Sequence, residues 1–158
     1  EAIQSFKGAS KRLELLAKNN VRIVYQDFAH APSKVKATLQ AVREQFPERK
    51  LVACLELHTY SSLNKEFLGH YSGTLDPADT AIVCFNPHAL QLKRLQEITT
   101  GQIMAGFNKP GMEVFTNSNL LVERLLQKKN PGDVLLMMSS GNYDGIDLND
   151  LALRWINR

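Results

Sequence analysis

The chain has 158 residues, of which 44% are hydrophobic and 22% are charged, as in an ordinary globular domain. This composition excludes a disordered chain, a collagen-like fibre and a disulfide scaffold, and no apolar run approaches the ~20 residues of a membrane-spanning helix. Nineteen basic against sixteen acidic residues leave a net charge of +3, which is scattered along the chain and disfavours nucleic acid and membrane surfaces as partners.

Apolar runs alternate with amphipathic stretches along the chain. The predicted strands are residues 12–18, 21–26, 51–57, 80–85, 112–115 and 134–138. The predicted helices are residues 33–46, 63–71, 87–98, 118–129 and 146–156, and residues 101–107 are ambiguous. Ser33 is predicted to cap the first helix and Pro47 to end it, while Asn117 or Ser118 caps the fourth.

Strands that alternate with helices predict an α/β domain with a mostly parallel sheet of about six strands and helices on both faces. Asn19 and Asn20 are a turn signal between the first two strands, which are therefore predicted to form an N-terminal β-hairpin. No basic, then apolar, then small-residue leader is present, so the chain is predicted to be cytoplasmic. Its start at Glu1 rather than Met indicates a piece of a longer protein.

Three polar loops follow predicted strands, at residues 27–32, 56–62 and 139–145. In a parallel sheet, ligands bind beyond the carboxyl ends of the strands, so these loops are expected to meet along one rim and form a binding site.

Several common site signatures are missing. The chain has no Gly-x-x-x-x-Gly-Lys-Ser/Thr phosphate loop, no Gly-x-Gly-x-x-Gly after the first strand and no Gly-x-Ser-x-Gly elbow. Its four histidines lack His-x-x-x-His spacing and a Cys-x-x-Cys partner, so no metal site is predicted. Cys54 and Cys84 lie in apolar runs and are predicted to be buried thiols. The predicted core aromatics are Tyr25, Phe28, Phe46 and Trp155.

Each loop has a functional and a purely structural interpretation. Asp27 can accept hydrogen bonds from paired hydroxyls such as a ribose diol, and His30 can bind an anionic group; on spacing alone, a turn hydrogen bond from Asp27 and a surface histidine are the favoured interpretation. Glu56 and His58 are either site residues on a rigid strand end or solvated turn residues. Residues 139–145 offer hydroxyls and backbone amides that suit a carboxylate or phosphate, or form a plain loop.

Four segments together resemble the C-terminal domain of the Mur ligases. Residues 5–14 (SFKGASKRLE) resemble its opening segment, and residues 25–32 (YQDFAHAP) resemble a Tyr-Asp-Asp-Phe/Tyr-Ala/Gly-His-His-Pro motif. Residues 55–61 (LELHTYS) resemble a Glu-Pro-Arg-Ser/Thr loop. Residues 131–146 (PGDVLLMMSSGNYDGI) are similar to PGDHILVMSNGGFGGI, the version in the murein peptide ligase branch, which joins UDP-N-acetylmuramate to L-alanyl-γ-D-glutamyl-meso-diaminopimelate.

This resemblance implies that residues 1–158 are the C-terminal, three-layer Rossmann-like domain of a three-domain enzyme. In such ligases ATP phosphorylates a carboxylate, and the amine of the second substrate attacks the acyl phosphate to form an amide. The P-loop and the Mg²⁺ ligands lie in a central domain, and an N-terminal domain binds the UDP sugar. The domain alone is expected to be inactive and to close over the central domain as a rigid lid.

The resemblance also assigns residue roles. Arg12 and Asp27 match positions that hold the ATP ribose, and His30 matches a histidine near the acyl phosphate. The residues implied to meet the peptide substrate or its amine are Phe28, His30, His58, Thr59, Ser61, Ser140, Gly141 and Asn142.

The chain departs from the family motifs at three positions. Ala31 replaces the second histidine, His58 replaces the loop arginine, and Leu57 stands where the family has proline. Loss of the guanidinium fork weakens bidentate carboxylate recognition. Two other interpretations stay open, namely the C-terminal domain of a UDP-N-acetylmuramate–L-alanine ligase and a stand-alone binding module without ligase activity.

Overall fold

A six-stranded sheet forms the centre of the computed structural model, which describes residues 13–157. The strands are β1 (Glu14–Lys18), β2 (Ile23–Asp27), β3 (Leu51–Glu56), β4 (Thr80–Cys84), β5 (Glu113–Phe115) and β6 (Val134–Met138). Their order across the sheet is β1-β2-β6-β3-β4-β5. Only β1 is antiparallel, and it pairs with β2. The predicted mostly parallel sheet with an N-terminal hairpin is therefore confirmed.

Helices cover both faces of this sheet. They are α1 (Pro32–Gln45), α2 (Pro87–Leu92), α3 (Thr100–Phe107), α4 (Ser118–Gln127) and α5 (Leu148–Ile156), with short 3₁₀ helices at Leu68–Tyr71 and Tyr143–Gly145. Helices α1, α2 and α3 pack with Leu68–Tyr71 on one face, and α4 and α5 pack on the other. The central strands β3 and β6 are buried along their whole length, as expected for strands covered on both faces. The three-layer arrangement is the one predicted.

The first hairpin turns at Asn19, whose side-chain oxygen accepts hydrogen bonds from the backbone N–H groups of Val21 and Arg22, both at 2.8 Å. These bonds close the predicted turn. Helix α1 begins earlier than predicted, because Pro32 occupies its first turn and Ala31 the N-cap position without a side-chain bond. Proline has no N–H to satisfy there and its fixed φ suits a helix start, so the prediction that Ser33 caps α1 was wrong.

Two predicted helices are much shorter than expected. Only Leu68–Tyr71 of residues 63–71 is helical, and it is 3₁₀, because the Asn64 side chain accepts from the Glu66 N–H and forms a turn instead. Helix α2 ends at Leu92 rather than at residue 98, since Arg94 adopts a left-handed φ of 57° and the Leu95 N–H closes back onto the Leu90 carbonyl.

The remaining helix ends follow their capping residues. The ambiguous residues 101–107 belong to α3, which starts with a capping box between Thr99 and Gln102. Asn117 caps α4, as predicted, by accepting from the Leu120 N–H at 3.0 Å. Asp147 caps α5, so this helix starts two residues after the predicted residue 146.

The buried side chains agree with the prediction for both cysteines and for Tyr25 and Trp155. Phe46 is only half-buried against the same core. Among the described residues, no helix is both long and apolar enough to cross a bilayer.

Candidate functional site

The carboxyl ends of β2, β6 and β3 lie side by side, because these strands are neighbours in the sheet. The loops that follow them therefore form one rim, as the sequence predicted. Direct hydrogen bonds join the loops: the Ser139 N–H donates to the Asp27 carbonyl at 3.1 Å, and the Ser139 hydroxyl donates to Oε1 of Glu56 at 2.6 Å. Ser139, the first residue after β6, thus contacts both neighbouring strand ends.

Asp27 is buried at the first of these strand ends, with 7% of its surface exposed. Its Oδ1 accepts from the Leu13 N–H, and its Oδ2 accepts from the Ala29 N–H at 2.8 Å and from the Thr38 hydroxyl at 3.2 Å. An ionised carboxylate offers about four acceptor positions, and the described residues 13–157 leave one direction on Oδ1 unoccupied. Asp27 therefore has both a structural role, in fixing the loop and the start of β1, and room for one further bond. Arg12, its predicted companion, lies outside the described residues.

Phe28 and His30 form the outer part of the same loop. Phe28 is 42% exposed, so its prediction as a core aromatic was wrong: it directly follows the last residue of β2 and belongs to neither core cluster of the sheet. Its ring meets the His30 ring edge-on, with centroids 5.4 Å apart. Nδ1 of His30 lies 3.0 Å from the Phe28 carbonyl, which can only accept, so Nδ1 carries the proton and Nε2 of the neutral ring is an acceptor.

Tyr71 holds this loop from the side of the 3₁₀ helix. Its hydroxyl donates to the His30 carbonyl, and burial raises the pKa of Tyr71 to about 12. The side chain therefore stays protonated and donates at every physiological pH.

The loop after β3 presents His58 to solvent and uses its hydroxyls internally. The Thr59 hydroxyl and N–H both bond to the hydroxyl of Ser62, at 3.0 Å, and the Ser62 N–H returns a bond to the Thr59 hydroxyl. Thr59 is thus committed to the turn, whereas His58 and Ser61 are exposed. Next to them, Tyr60 is 63% exposed and Nζ of Lys93 lies 4.8 Å from the centre of its ring, a cation–π contact that the sequence did not indicate.

The loop after β6 packs directly against His58. A Cβ added to Gly141 would lie 2.8 Å from Cγ of His58, so the imidazole rests on the bare backbone of this glycine. The Gly141 N–H donates to the Ser139 hydroxyl at 2.8 Å. Within residues 13–157, the Ser140 hydroxyl is the buried side-chain oxygen without a hydrogen-bond partner. Asn142 is exposed, and its side chain accepts from the Gly145 N–H at 3.3 Å.

Three further residues are central to this rim: Glu56, for which the sequence left a site role and a solvated turn open, and Tyr143 and Asp144, which were assigned no individual role. Glu56 is 5% exposed and ties the loops together, and Tyr143 is buried beneath them with its hydroxyl 2.6 Å from the Met138 carbonyl. Asp144 accepts from the side-chain amide of Asn86 at 3.1 Å, which extends the rim to the end of β4. Glu56, Asn86, Tyr143 and Asp144 also line a narrow cleft that reaches the start of α4. The sequence signalled Glu56 as a polar strand end, and it signalled Tyr143 and Asp144 only as members of the polar loop 139–145.

The two cysteines lie under this cleft on neighbouring strands. Hydrogen bonding to Cys54 and burial raise the pKa of Cys84 well above its ordinary value, and burial does the same for Tyr143. Both thiols are free and buried and serve as packing groups. In the described part of the chain, no three His, Cys, Asp or Glu side chains are grouped so that they could hold a metal ion.

Comparison with known proteins places this rim in a family context. The chain is 31% identical to a UDP-N-acetylmuramate–L-alanine ligase of Sulfurihydrogenibium, over 99% of the chain and 34% of that protein. A second ligase of the same name, from Caldicellulosiruptor bescii, is 30% identical over 91% of the chain and 31% of that protein. The chain therefore spans about a third of the length of these curated relatives.

Solved structures of related ligases resemble this chain as well. A crystallised domain described as part of a UDP-N-acetylmuramate:L-alanyl-γ-D-glutamyl-meso-diaminopimelate ligase of Haemophilus ducreyi is 26% identical, with a TM-score of 0.64 over 90% of the chain and 99% of that domain. The murein peptide ligase of Psychrobacter arcticus shares the fold, with a TM-score of 0.71 and 21% identity over 94% of the chain and 30% of that protein. Residues 11–141 match the family described as Mur ligase, glutamate ligase domain. Since this match spans most of the chain, the chain belongs to the Mur ligase C-terminal domain family.

Proposed function

We propose that the chain is the C-terminal domain of an ATP-dependent ligase of peptidoglycan synthesis or recycling, which joins an amine-bearing substrate to the carboxylate of UDP-N-acetylmuramate. The observation that carries this proposal is the junction of the three loops at the carboxyl ends of β2, β6 and β3, each within a segment that resembles a Mur ligase motif. One rim can then hold the nucleotide at one end and the amine at the other.

The nucleotide end of the rim is assigned to Asp27 and Arg12. Asp27 fits this role because one acceptor direction of its carboxylate is unused by residues 13–157, and a ribose hydroxyl is a suitable donor to it. When bound, ATP supplies the phosphoryl group that activates the acceptor carboxylate. We place the phosphate loop and the Mg²⁺ ligands on a central domain of the same polypeptide, and the UDP site on an N-terminal domain, which fits a chain one third as long as its relatives.

His30 and Phe28 are assigned to the middle of the rim. With Nδ1 turned towards the Phe28 carbonyl, Nε2 is the nitrogen that can take a proton from a neighbouring group or, when protonated, donate to an anionic oxygen. The exposed face of Phe28 offers apolar contact to a bound substrate. His30 is the residue proposed here as catalytic.

The amine end of the rim is assigned to His58, Ser61 and residues 140–142. His58 and Asn142 are exposed, and the buried Ser140 hydroxyl, which has no hydrogen-bond partner within residues 13–157, has the most to gain from a ligand. Thr59 contributes by shaping its loop rather than by offering a free hydroxyl, since Ser62 occupies it.

For the amine substrate we propose the tripeptide L-alanyl-γ-D-glutamyl-meso-diaminopimelate, on the motif of residues 131–146 and the likeness to the Haemophilus domain. L-Alanine is the second candidate, favoured by relatives that are themselves named L-alanine ligases. A stand-alone binding module is the remaining alternative, and a phosphate-loop domain encoded directly upstream of Glu1 would eliminate it.

A competition assay tests this proposal. The whole protein is incubated with ATP, Mg²⁺ and UDP-N-acetylmuramate, and with tripeptide and L-alanine at equal concentration, and the products are identified by mass. We expect phosphate release that depends on both acceptor and amine, with the tripeptide product dominant. Dominance of the alanine product selects the second candidate, and absence of any ATP-dependent amide product overturns the proposal.

A further inference from the structure

Glu56 is a buried carboxylate at the centre of the rim. It is the last residue of β3, and its Oε1 accepts two hydrogen bonds, from the Ser139 hydroxyl at 2.6 Å and from the Tyr143 N–H at 2.9 Å. Both donors belong to the loop after β6. A single oxygen of β3 therefore holds the neighbouring loop at its first residue and again at the start of its 3₁₀ helix.

The loop needs such ties because its backbone is unusual. Tyr143, Asp144 and Gly145 have φ values of 55°, 57° and 88°, and the first two are in a conformation that L side chains rarely adopt. Residues in this region persist only where the surrounding structure determines them. The bond from the Tyr143 N–H to Glu56 supplies that determination, together with the single hydroxyl hydrogen of Tyr143, which lies between the carbonyls of Met138 at 2.6 Å and Cys54 at 2.9 Å.

The same carboxylate is linked to His58 through the loop after β6. Glu56 precedes His58 by two residues in the chain. It also orients the Ser139 hydroxyl, which in turn accepts from the Gly141 N–H at 2.8 Å, and Gly141 forms the surface on which the His58 ring rests. The relative position of both predicted amine-binding loops therefore depends on one buried side chain.

We propose that Glu56 is a positioning residue, whose carboxylate holds the loop of residues 139–145 in the conformation that presents residues 140–142 and His58 to the amine substrate. The catalytic consequence of this inference rests on the proposed function. The hydrogen bonds from Ser139 and Tyr143 to Glu56 are independent of it. Because Glu56 also lines the cleft beside Asn86 and Asp144, the competing role is an ion pair between its charge and the substrate ammonium group.

Two substitutions separate these roles. In Glu56→Gln the amide oxygen can still accept from Ser139 and Tyr143 while the charge is lost, whereas Glu56→Ala leaves both donors unpaired. In the whole ligase we expect Glu56→Ala to lower kcat/KM for the amine at least about tenfold with the KM for ATP within twofold of wild type, and Glu56→Gln to restore most of the loss. Equal loss in both variants with a raised KM for the amine would assign the charge to substrate binding and overturn the proposal, as would unchanged amine kinetics in Glu56→Ala.

Amide hydrogen exchange on the 158-residue chain keeps the test independent of catalysis. Loss of the Glu56 carboxylate is expected to speed exchange at Gly141 and Tyr143 at least about tenfold while the amides of β6 keep their protection. Ser139→Ala should reproduce the change at Gly141, and it serves as the second variant if Glu56→Ala does not fold. Unchanged exchange at both amides overturns the positioning role. If exchange is faster in the variant but the wild-type enzyme performs no ligation, only the proposed function fails.

Discussion

The same substitution, glycine to alanine, should lower stability at one position of this chain and catalysis at another. At Gly141 a new Cβ would lie 2.8 Å from Cγ of the exposed His58 ring, and at Gly106 it would lie 2.8 Å from Cβ and 2.9 Å from the backbone oxygen of Leu68. Ordinary contact begins near 3.4 Å, so the obstacle must move by about 0.6 Å in both cases. His58 can do so by a side-chain rotation, but the backbone of Leu68 is packed beneath α3.

Gly106→Ala is therefore expected to destabilise the chain by ~1–3 kcal/mol, the usual cost of overpacking. Gly141 has no positive φ, so Gly141→Ala is expected to leave the free energy of unfolding within about 1 kcal/mol of wild type. Its effect should fall on function, because a displaced His58 no longer meets the amine, and we expect kcat/KM for the amine to drop ~10-fold.

Urea unfolding of the 158-residue chain measures the first quantity, and steady-state kinetics of the whole ligase the second. Gly101→Ala is the matched control, since its Cβ would meet nothing closer than the Thr99 hydroxyl at 3.8 Å. Full amine kinetics in Gly141→Ala would refute the assignment of His58, and a stable Gly106→Ala would refute the packing argument.

Two further predictions concern stability at the pH extremes. Burial opposes ionisation of Asp79, but the Leu51 N–H and the Arg43 guanidinium outweigh it and lower the pKa of Asp79 below its ordinary value. Asp79 thus contributes stability above pH ~4 that is lost as the pH falls through its folded pKa. In urea unfolding, Asp79→Asn should therefore lose less stability in acid than the wild type does. An identical dependence of stability on pH in the two proteins would contradict this. Burial raises the pKa of Tyr71 from 10.0 to about 12, so its contribution is present below pH 10 and lost as the pH rises towards 12. Tyr71→Phe should unfold with ~1 kcal/mol less stability at pH 7, because the His30 carbonyl loses its donor, and should lose less than wild type on going to high pH.

Most of the fold was predictable from the sequence, and the reason is the regularity of the pattern. Buried strands separated by helical stretches determine a parallel sheet, and the carboxyl-end rule then places the polar strand ends together. The exact helix limits were not predictable where a local competitor won, as when the Asn64 side chain formed a turn in place of a helix. Helix α2 likewise ends near Arg94, which adopts a left-handed φ although the sequence has no glycine there to predict a helix end.

The candidate site was predictable in outline only. The residues of each loop could be named from the sequence. Which hydroxyls form hydrogen bonds within the protein, as the Thr59 hydroxyl does with Ser62, could not be predicted. Contacts between distant segments leave no trace in a single sequence. The support of His58 by Gly141 and the two bonds to Glu56 are of this kind. They decide how the loops are presented, and only the folded structure shows them.

The central claim is that one rim binds the nucleotide through Asp27 and the amine through His58. Separate KM values for ATP and for the amine, measured on Asp27→Ala and His58→Ala of the whole ligase, test it most directly. Thermal unfolding should be followed in parallel, and Asp27→Asn substituted where the alanine variant is unstable, because Asp27 also bonds to Leu13 and Ala29. We predict that the Asp27 variant raises the KM for ATP ~10-fold, the value of one lost hydrogen bond, while His58→Ala raises only the KM for the amine. An unchanged KM for ATP in the Asp27 variant, or an exchange of the two effects, would contradict the account.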